Sequence, residues 1–342
     1  MDIVATGMVC SVGLSAASAC AAMRAKIAKF DDLPYLDNQG EPIVGASVPG
    51  LEPGLKRRAR LVEMLSMALA DCHESGAVKD TARIPLLVGF AEPGRPGGGG
   101  DWADSIVRDV EAKLGLNFDP KRSATLSKGH TAGFEALRLA REILKDPAVP
   151  ACLVCGVDSY INASSLLWLQ RNGRLKTPED SDGVIPGEAA AAVLLVLGGA
   201  KARDRGVAHV SGLGFAREEA SILTDEPLFG RGLAKATAAA LADAGSALHE
   251  VDFRLSDVTG EHYGFKEHSL MVGRLMRGPR DSFPIWHPGD AIGDTGAAAG
   301  PVQLVVADRS FHGGYAPGGR AVCMTGSVSG DRSAAVLQFQ RV

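Results

Sequence analysis

The chain has 342 residues, with 36 Lys and Arg against 40 Asp and Glu, for a formal net charge of −4. That balance leaves no basic footprint for nucleic acid, and no run reaches the roughly 18 apolar residues of a membrane-spanning helix. With 46% hydrophobic and 22% charged residues, it reads as a globular protein large enough for two halves around a sizeable core.

Ile3-Val4-Ala5-Thr6-Gly7 predicts a first strand entering a glycine turn. Ala16 to Phe30 predicts an amphipathic helix, and residues 31–55 form a Pro- and Gly-rich excursion. A second helix is expected from Arg57 to Cys72. Its basic start, Lys56-Arg57-Arg58-Ala59-Arg60, reads as a solvated face, with an acidic partner as the less favoured reading. Ile84 to Phe90 is a strand. The glycine-rich Gly94 to Gly100 fits neither phosphate-binding spacing and reads as a flexible surface loop before a helix running to Leu114.

Ser123 to His130 leads into a helix over Thr131 to Lys145. Residues 151–157 and 189–197 are apolar without alternation, as in strands buried on both faces. Between them lies a helix ending at Asn172-Gly173 and a long loop rich in Asp, Gly and Pro. Such loops usually carry function. After the polar break at residues 198–206, Ala208 to Gly214 begins a second strand, loop and helix series, with a helix over Gly232 to Ala244 and a closing strand from Ala334 to Phe339.

The six cysteines stand at 10, 20, 72, 152, 155 and 323. Cys152 and Cys155 share one apolar strand and point to opposite faces, so they read as small buried residues rather than a redox pair. The usage fits a reducing compartment. No basic residue precedes Arg24, so no signal peptide is expected, and a cytoplasmic location is the expectation.

Gly156 at the end of its strand, followed by Asp182-Gly183-Val184-Ile185-Pro186-Gly187-Glu188-Ala189 and another buried strand, resembles the ketosynthase branch of the thiolase superfamily. There the corresponding loop ends in Asp-Gly-Phe-Val-x-Gly-Glu-Gly-Ala. The resemblance implies an α/β thiolase-like fold, with two similar halves forming a layered α-β-α-β-α sandwich. The halves would span 1–200 and 201–342 in one compact unit. It also implies a dimer, homodimeric or heterodimeric, paired along the strand around Cys152 to Gly156.

The same resemblance places the catalytic positions. A ketosynthase carries its cysteine nucleophile at the start of a central helix, where the helix dipole stabilises a thiolate. Counting back from Gly156 puts that position on His130, and anchoring on Gly133 puts it on Thr125. Either way, no cysteine lies between Cys72 and Cys152. The family's two histidines fall on Asp257 and Asp294, its lysine on Gly289, its glutamate on Gln303 and a later acidic residue on Phe265. An ionised carboxylate accepts but cannot donate, so Asp at both donor positions opposes oxyanion stabilisation. Two neighbouring carboxylates should also repel, and neutralising Asp294 would leave stability unchanged or raise it.

No residue is therefore assigned a catalytic role, and no cofactor or metal is expected. The implied function is that of a non-catalytic partner, adaptor or assembly subunit. Its protein partner would be a ketosynthase, an acyl carrier protein, or a secretion effector or its chaperone. The alternative is a repurposed enzyme that uses His130, Asp257 and Asp294 for acyl transfer or hydrolysis, through activated water or a metal. His262 and His287 read as loop residues, and Glu188 as structural.

Overall fold

The computed structural model describes residues 1–52, 54–74, 81–98, 105–198 and 206–340. The first half runs β1 (Asp2–Cys10), α1 (Ala16–Arg24), the hairpin β2 (Asp31–Leu36) and β3 (Pro42–Gly45), α2 (Arg57–Glu74) and β4 (Leu86–Phe90). It continues with α3 (Ile106–Leu114), β5 (Ala124–Ser127), α4 (Ala132–Ile143), β6 (Cys152–Ser159), α5 (Ala163–Arg171) and β7 (Glu188–Val196). The second half runs β8 (Val207–Arg217), α6 (Arg231–Asp243), β9 (Phe253–Ser256), α7 (His262–Leu275) and β10 (Ile285–Trp286). It ends with α8 (Gly289–Ile292), α9 (Ala299–Gly313), β11 (Arg320–Gly326) and β12 (Asp331–Gln340).

The strand order repeats. Counted outward from the centre, one half reads β1-β7-β6-β4-β5 and the other β8-β12-β11-β9-β10. In both, the two inner pairings are antiparallel and the two outer ones parallel. A short ladder, Asp2↔His209 and Ile3↔Ala208, joins the halves into one ten-stranded mixed sheet. The expected junction near 198–206 lies largely outside the described residues.

Helices cover both faces and fill the middle. Leu61, Leu65 and Leu69 of α2 and Val110 of α3 pack on the outer face of the first half's strands. Leu233 and Leu241 of α6 and Met271 of α7 do the same in the second half. Phe134 and Leu137 of α4, with Val302 and Val305 of α9, are buried between the halves. This is the five-layer α-β-α-β-α arrangement. The scarcity of large side chains lets the layers approach closely. A Cβ on Gly7 would lie 2.0 Å from the Ala68 carbonyl of α2, and one on Gly214 would lie 2.0 Å from the Ala236 carbonyl of α6. The equivalent contact thus recurs in both halves.

Three expectations are corrected. First, β6 is hydrogen-bonded on both sides, to β4 and β7, so it is no pairing edge and Cys155 is buried in the first half's outer core. Among the described strands the outermost are β5 and β10. Second, the basic start of α2 is only partly a solvated face: Lys56 and Arg58 are exposed, but its arginines are paired. Arg57 pairs with Asp158, Arg58 with Asp109 and Arg60 with Glu188, which fastens α2 to β6, α3 and β7. Third, the glycine-rich loop is anchored where it is described: Arg95 is fully buried and pairs with Asp158. The first two residues of the helix expected after it, Asp101 and Trp102, lie outside the described residues.

Candidate functional site

Three residues from distant parts of the chain meet at one small pocket. His130 sits on a short 3-10 turn, Gly129–Thr131, at the entry to α4. Asp257 follows β9, and Asp294 follows α8. The His130 Nε2–H donates to Asp294 Oδ1 at 2.7 Å. The same oxygen accepts from the backbone N–H of Gly296 at 2.9 Å. Asp257 Oδ2 accepts from the Gly326 N–H at 2.8 Å.

Of the other candidates, Gly289 and Gln303 line a small adjoining pocket with Asp257 and Asp294, and the rest fall elsewhere. Gln303 clamps α9 to β11: its Nε2 donates to the Met324 carbonyl and its Oε1 accepts from the Met324 N–H, both at 3.0 Å. A Cβ on Gly289 would lie 2.5 Å from Cγ2 of Thr259, so the helix start sits too close for a side chain. Thr125 is on the outer strand β5 and does not line the pocket. Phe265 is 43% exposed and meets His287 edge-on, outside the pocket. His262 is exposed, and His287 accepts or donates at Ser256 Oγ rather than facing His130. Glu188 is fully buried, held by Arg60, Ser159 Oγ and the Val48 N–H, so its role is structural.

Sequence reasoning missed the ion pairs that wall the pocket. Arg332 donates from Nε to both oxygens of Glu267 and from Nη2 to the Tyr263 hydroxyl. Arg174 forms a bidentate pair with Glu261 at 2.7 and 2.8 Å. Arg332 stands just before the apolar run of β12, and Arg174 follows the Asn172-Gly173 turn. Each had a local signal, but partners 65 and 87 residues away had none. The cavity these groups leave is about 60 Å³.

The electrostatics follow from burial and pairing. Burial by itself would lower the His130 pKa, but Asp294, with Asp257 and Glu92 beyond it, raises it to about 9. Burial would raise Asp294, yet the pair with His130 holds it below the usual carboxylate range. Asp257 is pushed up by burial. His130 is thus an imidazolium at neutral pH, paired with a carboxylate, and the two aspartates do not simply repel. A histidine raised in the folded state contributes stability that is fully present below its unfolded pKa of about 6.5 and is lost as pH rises through about 9. Melting temperature should therefore fall across that window, and His130→Gln should remove that part of the slope. An equal slope in both proteins would refute the assignment.

No thiol lies at the site. All six cysteines are buried, and burial pushes Cys10 to about 11 and Cys20 and Cys152 to about 12, with Cys155 and Cys323 also raised. Among the described residues no group of three His, Cys, Asp or Glu could hold a metal ion, so the metal variant of the alternative is not supported. No helix of the described residues is long and apolar enough to cross a membrane.

The repeated five-strand halves, with helices between and outside them, define the thiolase-like fold of ketosynthases and chain length factors. The ishigamide ketosynthase/chain length factor superposes with a TM-score of 0.80 at 18% identity, covering 99% of this chain and 98% of that one. A type II PKS ketosynthase in complex with its acyl-carrier protein gives 0.80 at 15% identity, covering 98% of each chain. The ketosynthase ApeO with its chain length factor ApeC, from Xenorhabdus doucetiae, gives 0.76 at 14% identity, covering 99% of this chain and 98% of that one. At such identities the likeness is one of fold. No family model and no curated protein matches the chain.

Proposed function

We propose that this chain is a ketosynthase-like subunit without condensing activity, which works through a protein partner in an acyl-chain-synthesis complex. Its two halves, 1–200 and 201–342, act as one compact unit. The carrying observation is the central pocket: about 60 Å³, occupied at its base by the His130–Asp294 ion pair, with no cysteine on its lining. Condensation needs a thiolate and neutral donors aimed at a developing oxyanion. A ligand-sized site spans roughly 300–1,000 Å³. This pocket offers neither the groups nor the room.

The partner reading draws on the neighbours' own descriptions, which name a chain length factor beside its ketosynthase and a carrier protein bound to its ketosynthase. Dimerisation, with itself or with a ketosynthase, would use an open strand edge such as β5, where backbone groups await a partner.

The repurposed-enzyme reading has one observation in its favour: His130 Nδ1 is buried with no hydrogen bond among the described residues. Against it, a histidine protonated up to about pH 9 is no general base at neutral pH.

Intact-protein mass spectrometry after incubation with acyl-CoA or acyl-carrier protein should show no mass gain. A stoichiometric acyl adduct would overturn the loss of activity. Affinity purification from the native host should recover a ketosynthase or a carrier protein. Recovery of a secretion effector or its chaperone instead would replace the acyl-synthesis role with an adaptor role.

A further inference from the structure

A cavity with a more apolar lining and a larger volume than the central pocket lies elsewhere. It lies between the end of α1, the outer strand β10, and helices α8 and α9, with a volume of about 600 Å³. A second hollow of about 580 Å³ continues it along α1 and shares Cys20, Arg24 and Tyr315 with it. The first falls within the range of small-molecule sites.

Its floor is apolar and braced from below. Trp286 and Tyr315 stack with centroids 6.3 Å apart and planes inclined by 26°. Trp286 rests in turn on buried Phe253 at 4.7 Å. Met23, Ile285 and Val306 add to the apolar lining, which His287 also borders. The aromatic faces are thus held in place before any ligand arrives, which limits the ordering cost of binding.

Its rim is cationic. The Arg24 guanidinium lies over the Tyr315 ring, 4.6 Å from the centroid. Lys26 lines the same cavity, and Arg309 lines its continuation. Among the described residues none of the three makes an ion pair, whereas Arg57, Arg58 and Arg60 each find a carboxylate. Asp290 is the one acid on the lining of the larger cavity.

Lys26 carries a second signal. It is the single described non-glycine residue in the left-handed region, with φ 57°. The local hydrogen bonds explain the conformation: the Lys26 N–H reaches the Met23 carbonyl and the Ile27 N–H reaches the Ala22 carbonyl, closing α1 in a turn that normally takes glycine. The helix ends of α3 and α9 do use glycine there, Gly115 and Gly314. A lysine at this position accepts backbone strain and puts an ammonium at the mouth of the cavity.

We propose that this groove binds a small organic carboxylate, its aromatic or aliphatic body on Trp286 and Tyr315 and its head between Arg24 and Lys26. The charge pattern selects the anionic head, and the braced aromatic floor selects an apolar body. The proposal is independent of the function assigned above, because it uses no residue of the central pocket.

Isothermal titration calorimetry on the full chain tests it with 2-naphthoate, decanoate, the neutral 2-naphthalenemethanol and phosphatidylcholine vesicles. At least one carboxylate should bind with Kd below about 1 mM. The better of the two identifies a flat or a chain-like body. The double variant Arg24→Gln, Lys26→Gln should weaken that binding about tenfold, the usual scale for losing charge-assisted hydrogen bonds. Both side chains are exposed, so an unchanged melting temperature confirms that the variant folds. Trp286→Ala should weaken whichever carboxylate binds. The proposal is overturned if neither carboxylate binds, if the neutral alcohol binds equally well, if the double variant binds as tightly as the parent, or if only vesicles bind.

Discussion

Asp158→Ala is expected to lower the free energy of unfolding by about 3–5 kcal/mol, the scale for stranding one member of a buried ion pair. Asp158 is 1% exposed and Arg95 fully buried. Arg95 Nη2 donates to both Asp158 oxygens at 2.5 Å, and Arg57 Nη2 donates to Oδ1 at 3.2 Å. The backbone N–H groups of Ser159 and Ala297 donate to the same carboxylate at 2.8 and 3.0 Å. One side chain on β6 therefore holds the loop after β4, the start of α2 and the turn that follows Asp294. Its removal leaves the Arg95 charge in a dry interior with only the more distant Glu92 carboxylate, 3.9 Å from its Nε. Arg58→Ala serves as the comparison, since its pair with Asp109 is solvent-exposed and should be worth under about 1 kcal/mol. Urea denaturation measures both. A loss for Asp158→Ala no larger than that for Arg58→Ala would mean that the cluster is not what fastens these elements.

Asp294→Ala should cost about 3 kcal/mol at neutral pH, on the same reasoning. Without Asp294, burial dominates and the His130 pKa should drop from about 9 to below its ordinary value. NMR titration of the His130 ring reads this directly, and the fall in melting temperature between about pH 6.5 and 9 should vanish. Unchanged or increased stability would restore the expectation drawn from the sequence, that two aspartates repel across an empty site. The structure makes the opposite case, because His130 pairs with Asp294 and also attracts Asp257.

Composition, the apolar runs and the motif order carried the architecture. Residues 84–90 read as a strand and 151–157 and 189–197 as doubly buried strands, and β4, β6 and β7 lie there, buried almost throughout. A strand covered on both faces is apolar at nearly every position, so its own residues record its environment. The placement of Cys152 and Cys155 on opposite faces was legible for a similar reason, since alternation is local geometry. Likewise, a cysteine missing between positions 72 and 152 is missing in any fold.

Tertiary structure decided what depends on distant partners. Strand order is set by crossovers, so nothing within β6 reveals that β4 and β7 occupy both its edges. The arginines of α2 look solvated because their carboxylates lie 51 to 128 residues away. His130 and Asp294 are 164 residues apart, and only their 2.7 Å contact makes them one ion pair. Charge in a sequence is a sum over residues. Its energetic sign in the folded protein depends on which opposite charge shares the same dry volume.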